Sequence, residues 1–68
     1  MPDRLANRTA TTLRLATKIM GGEDEAKRWM VKQVMGLSGQ RPIDLLRSAE
    51  GTRMVRDFLM RLEYGVYN

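Results

Sequence analysis

The side chains able to do chemistry in this sequence are few: eight Asp and Glu, two tyrosines and scattered hydroxyls, with cysteine and histidine both absent. A thiol nucleophile, an imidazole base, a disulfide framework and an ordinary zinc site are therefore excluded. The carboxylates cluster once, at Glu23-Asp24-Glu25. Hard cations want oxygen ligands, but consecutive acids point different ways around a helix axis, and the spacing is unlike that of a calcium-binding loop. Three acids in a row suit the start of a helix, where exposed N–H groups favour negative charge. Nor are the glycines phosphate loops, since no Lys-Ser/Thr pair follows Gly36 or Gly39 and no strand precedes them. An enzyme in its own right is not expected, nor is a cofactor or a metal. What remains is binding.

Charge is the first feature that bears on binding. The chain has 12 Lys+Arg against 8 Asp+Glu, a net charge of +4. The excess is amino-terminal: Arg4, Arg8, Arg14 and Lys18 stand against Asp3, whereas Lys27, Arg28 and Lys32 balance the three acids before them. Farther on, Arg47, Arg53, Arg56 and Arg61 alternate with Glu50, Asp57 and Glu63, a pattern that reads as a solvated helix face more than a phosphate track. A small basic helical nucleic-acid-binding protein or transcriptional regulator, using Arg4, Arg8, Arg14 and Lys18, is the alternative to a protein-binding function. The six methionines are packing residues in the plain reading and an adaptable binding surface in the sharper one. Met35 and Met60 fall off the apolar stripes and fit the second. Most pointed is the end, Glu63-Tyr64-Gly65-Val66-Tyr67-Asn68, where two aromatics flank a helix-stopping glycine. Tyrosine combines rigid contact area with a hydroxyl, as binding hot spots do. Tyr64 and Tyr67 either fold back over the core or face a partner, with Tyr67 better placed for the partner.

These residues need elements to position them. A chain of 68 residues makes one domain at most, and a core of this size supplies only about 3–5 kcal/mol. Leu5, Thr9, Leu13, Ala16 and Met20 recur at helical spacing, with Leu15 and Ile19 beside them, which predicts a helix over 4–20. Gly21-Gly22 ends it, and the acidic triplet opens a second helix reaching about Met35, with Ala26, Trp29, Met30, Val34 and Leu37 inward. Pro42 fits the first position of a short helix over 42–46. Ser48 caps the last helix, which carries Val55 and Leu59 on one line, Met54, Phe58 and Leu62 on the next, and stops at Gly65. The expected fold is all-α, a small bundle of three longer helices and one short one, with Trp29 and Phe58 at its centre. So few large side chains leave part of each apolar face for a partner or a second copy, which makes a homodimer one option. No run is long enough to span a membrane, and Asp3, Arg4 and Arg8 stand where a signal peptide would be apolar. The expected compartment is the cytoplasm.

The order Gly22, Ala26, Trp29, Leu37, Gly39, Pro42, Leu45-Leu46, Glu50-Gly51, Val55, Leu59 and Glu63-Tyr64-Gly65-Val66 resembles the carboxy-terminal toxin-binding domain of MbcA/ParS/Xre-type bacterial antitoxins. The resemblance covers about two thirds of the chain without a gap. Its most specific pieces are the Gly39-x-x-Pro42 turn, Glu50-Gly51 opening the last helix, and the Tyr64-Gly65-Val66 ending. Two departures stand out: Gln33-Val34 and Ser38-Gly39 replace a Pro-Asn pair and a double glycine common in the family, so the second helix is expected to run longer here. The 20 residues before Gly21 are too few for the helix-turn-helix domain of many members, so without one nucleic acid is not an expected partner.

The resemblance implies a protein partner, a RES-domain toxin with a fold like that of ADP-ribosyltransferases, which consumes NAD or transfers ADP-ribose. In the family, the carboxy-terminal end of the antitoxin blocks the entrance to the toxin's active site. Carried over, Glu63, Tyr64, Gly65 and Val66 match the terminal motif, Tyr67 and Asn68 extend it, and Met60 lies one turn before Tyr64. Trp29, Gly39, Pro42, Gly51 and Phe58 become structural residues. Residues 1–20 are then an amino-terminal basic helix and 21–68 the toxin-binding domain, within one compact unit.

Overall fold

In a computed structural model the described residues are 4–65. They form four α-helices: α1 (Arg4–Met20), α2 (Glu23–Met30), α3 (Pro42–Leu45) and α4 (Ala49–Tyr64), with a 3-10 turn at Met35–Leu37 before α3. The fold is all-α, and among the described residues the only β pairing is a single bridge between Val34 and Gln40.

Each helix begins and ends for a local reason. The threonines of α1 are reconciled with a helix by back-bonding: Thr9 Oγ1 donates to the Leu5 carbonyl at 2.8 Å and Thr17 Oγ1 to the Leu13 carbonyl at 2.7 Å. Gly21, at φ +84°, takes the left-handed conformation that stops α1, and its N–H closes onto the Thr17 carbonyl at 3.0 Å. Glu23, Asp24 and Glu25 fill the first turn of α2, with Lys27 and Arg28 in its last, the charge order the helix dipole favours. Pro42 occupies the first turn of α3, where its missing N–H costs nothing. Ser48 caps α4, its Oγ accepting from the Gly51 N–H at 2.9 Å.

The core is smaller and more aliphatic than expected. Ala16, Ala26, Met30, Leu37, Leu46, Val55 and Leu59 are the buried apolar residues. Trp29 and Phe58 are only half-buried and pack against this cluster from outside, because the central positions are filled by Ala16, Ala26 and the aliphatic side chains of Met30, Leu37, Leu46, Val55 and Leu59. On α1 the buried line passes through Thr12 and Ala16, leaving Leu5 40 % exposed. Met54, expected inward, is likewise 40 % exposed, since α4 turns Val55 and Leu59 to the core and Met54 lies to one side of them.

Helix α2 is shorter than its apolar spacing predicts, ending at Met30 rather than near Met35. Val31 leaves the helical region (φ −105°, ψ 6°) and the Lys32 N–H closes the final turn onto the Trp29 carbonyl at 3.2 Å. The chain then ties itself into a loop: the Val34 carbonyl accepts from Leu37 at 3.0 Å and from Gly39 at 2.9 Å, and the Val34 N–H donates to Gln40 at 3.1 Å. Periodicity misled here because Leu37 stands seven residues after Met30 and would share its side of a continuous helix. The loop delivers Leu37 to the same core by another route, while the valines at 31 and 34 weaken the helical alternative.

Candidate functional site

The terminal motif sits at the end of α4. Gly65 adopts φ +60°, ψ +36° and closes the helix through its N–H to the Arg61 carbonyl. Just before it, Glu63 is exposed and Tyr64 is 70 % exposed, so the Tyr64 side chain does not fold back over the core. Met60 is half-buried and lies one helical turn before Tyr64, a spacing that makes the two side chains neighbours on the helix surface. Val66, Tyr67 and Asn68 lie outside the described residues.

Beside this end is a shallow depression of about 160 Å³ lined by Gly36, Leu37, Met54, Asp57, Phe58 and Arg61. One wall is the Phe58 ring, which lies over the bare Cα of Gly36 and stacks on Trp29 with centroids 6.0 Å apart. Met54 stands at its margin, and Met35, next in chain to Gly36, is 93 % exposed. Arg61 is three residues before Tyr64 and Asp57 seven, so both fall on the Tyr64 side of α4. Together these make a methionine- and aromatic-rich surface with one cation and one anion on it. Such a surface can fill a partner's hollow and pair with its charges.

Electrostatics elsewhere are local. Lys27 Nζ meets Glu23 Oε1 at 2.9 Å and Arg28 Nη1 meets Glu25 Oε1 at 3.2 Å, so two of the three clustered acids pair within their own helix. Hydrogen bonding to Glu23 raises the Lys27 ammonium above its ordinary value. Arg41 grips Asp44 with two parallel bonds of 2.9 Å, and that bidentate contact holds the Asp44 carboxyl below the usual carboxylate value. Among the described residues no three Asp or Glu converge as a metal site, and no helix is long and apolar enough to cross a membrane.

The expected structural residues have definite places. Pro42 is fully buried, and Gly39 sits at φ +73° directly after Ser38, itself left-handed at φ +60°. Gly51 is buried where α4 starts under the end of α3, and a Cβ there would overlap the Leu45 carbonyl oxygen. Sequence reasoning missed Gly36 and Met54 as parts of the surface. Gly36 carried no signal beyond its being glycine in a loop; Met54 could have been found from its neighbour Val55, which already supplies the inward line of α4.

A family described as the antitoxin Xre/MbcA/ParS C-terminal toxin-binding domain matches residues 15–65. No curated protein matches the chain.

Proposed function

This chain belongs to the family of antitoxin Xre/MbcA/ParS C-terminal toxin-binding domains, and from that premise we propose that it neutralises a RES-domain toxin by lodging the end of α4 and the residues after it in the toxin's active-site cleft. The observation that carries the reading is Tyr64, 70 % exposed at the carboxy-terminal end of α4, beside the depression that holds Phe58, Met54 and Arg61. A site for NAD is concave and needs cations for the pyrophosphate. Tyr64 and Tyr67 are suited to the hollow and Glu63 to those cations, while Gly65, Val66 and Asn68 thread between them and Met60 supports Tyr64 from one turn behind. Inhibition is then stoichiometric occlusion, the chemistry belongs to the partner, and the chain itself is not an enzyme. Action on an NAD-consuming partner places it in the cytoplasm, where that substrate is.

In this reading residues 21–68 make the toxin-binding unit, and residues 1–20 add a basic helix that joins the same compact body through Thr12 and Ala16, both buried. Trp29, Phe58, Gly39, Pro42 and Gly51 hold α4 and its neighbouring loop in place. The apolar residues left exposed, Leu5, Val31, Met35 and Met54, leave room for a second copy in the complex as well as a toxin.

Co-purification with the product of the adjacent gene tests the partner class. A RES-domain protein recovered in fixed ratio, whose NAD consumption stops in the complex, is the expected result. A partner of another fold, or a complex in which NAD consumption continues, would sink the proposal.

A further inference from the structure

A groove of about 360 Å³ lies at the other end of α4, between its first two turns and α1. It gathers Arg8 from α1 with Arg53 and Arg56 from α4, together with Asn7, Thr11 and Leu15. No carboxylate is among its lining residues, and among the described residues none lies within ion-pairing distance of these three arginines. Arg8 is held in place by a hydrogen bond from its Nη1 to the Leu46 carbonyl at 3.3 Å. Arg53 and Arg56 alternate with acids in sequence, yet the helix turns them onto α1 while Glu50 and Asp57 fall outside the groove.

From this convergence we infer that the groove and the α1 face beside it bind the phosphate backbone of a nucleic acid. Residues 4, 8, 11, 15 and 18 recur at spacings of four and three, so Arg4 and Lys18 extend the face that carries Arg8, Thr11 and Leu15. Arg4, Arg8 and Lys18 then span about 21 Å of the α1 axis, a length that one DNA strand fills with about six phosphates, and Arg53 and Arg56 join Arg8 from α4. A regular polyanion matches such a line better than a short acidic peptide does, and Asn7 and Thr11 add donors of the kind that contact phosphate oxygens. A second copy of this chain, at net +4, would bring like charge to the groove. Asn7, Arg8, Thr11 and Thr12 precede the residues matched by the toxin-binding family, and about 22 Å of helix axis separates Ala49 from Tyr64, so the groove stays open when the far end is occupied.

Fluorescence anisotropy of a labelled duplex of about 20 base pairs, titrated with the whole chain across a salt series, tests the inference. The wild type is expected to bind in the micromolar range near 0.1 M salt. Replacing both exposed arginines (Arg53→Gln with Arg56→Gln) is expected to weaken binding about tenfold or more and to lower the log–log salt slope by about 2, at roughly 0.9 per phosphate contact. Thr11→Glu, which adds one negative charge inside the groove, should weaken it too. The matched control, Lys27→Gln with Arg28→Gln, removes the same charge from α2 and should change affinity less than about twofold. Equal losses in the two double variants would overturn the inference, because net charge alone would then explain the binding. So would no binding by the wild type. Poly-L-glutamate bound as tightly as the duplex, and lost equally in the groove variant, would also overturn it in favour of an acidic protein partner.

Discussion

Trp29 and Phe58 stack with their planes 17° from parallel and their centroids 6.0 Å apart, and the Phe58 ring covers Gly36 so closely that a Cβ there would overlap it. Three segments, α2, the loop after it and α4, are thereby joined at one point beside the exposed Met35 and Met54. The contact fixes the loop against the half of α4 that leads to Tyr64.

Gly36→Ala tests that contact. The added methyl must displace the Phe58 ring, and overpacking of this kind costs about 1–3 kcal/mol. Trp29 is the only tryptophan, so its fluorescence reports the stacking directly. We expect a lower urea midpoint together with a red-shifted, more solvent-exposed emission; an unchanged spectrum would show that the ring is not held there.

Gly51→Ala sets two effects of opposite sign against each other. Helix propensity alone favours alanine over glycine by about 1 kcal/mol. Contact with the Leu45 carbonyl opposes it, and because backbone must move, the cost should reach the upper part of the range of about 1–3 kcal/mol for overpacking. Net destabilisation of about 1–2 kcal/mol is expected, a large share of a total stability of only about 3–5 kcal/mol. A stabilised variant in thermal melts would contradict the packing of α3 on α4.

Ser48→Ala removes the side-chain acceptor of the Gly51 N–H. Losing such a cap costs about 1 kcal/mol, which in a domain this size lowers Tm by about 4–8 °C. Ser48→Asp keeps an acceptor and should retain most of the wild-type Tm.

The Arg41–Asp44 pair predicts a small pH dependence. Arg41 lowers the Asp44 carboxyl in the folded state, so the fold favours the ionised form. That contribution is complete above the unfolded carboxyl's pKa and is lost as pH falls through the lower folded value. The Tm advantage of wild type over Asp44→Asn should therefore be present at pH 7 and shrink on acidification below about pH 4. Lys27, raised by Glu23, runs the other way, its contribution disappearing only as pH rises through the elevated value. An advantage over Asp44→Asn that grew on acidification would contradict the pairing.

Helix identity was legible because its signals are short-range: Ser48, Pro42, Gly21 and Gly65 act on the turn they occupy. The end of α2 was not, because periodicity registers that Leu37 is buried but not by which path it reaches the core. The place of the large aromatics was hidden for a related reason. Size predicts burial, yet the small Ala16 and Ala26 are in the core while Trp29 and Phe58 stay at its edge. The exposure of Tyr64 was not legible either, because a tyrosine beside a helix-stopping glycine can fold back over a small core as readily as point away from it. The convergence of Arg8 with Arg53 and Arg56 needed the fold, since α1 and α4 meet only in three dimensions.

Occlusion by the end of α4 is open to a direct test, titration of a purified RES-domain toxin with this chain while NAD consumption and complex formation are followed together. Three forms decide it: the full chain, Tyr64→Ala, and the chain cut after Glu63, each first checked by circular dichroism for an intact fold. The full chain is expected to stop turnover at a stoichiometric ratio. Tyr64→Ala should need at least about tenfold more protein, as loss of a hot-spot aromatic does, and the shortened chain should fail to inhibit. Full inhibition and undiminished affinity from the shortened chain would contradict occlusion and pass the inhibitory role to the helix faces.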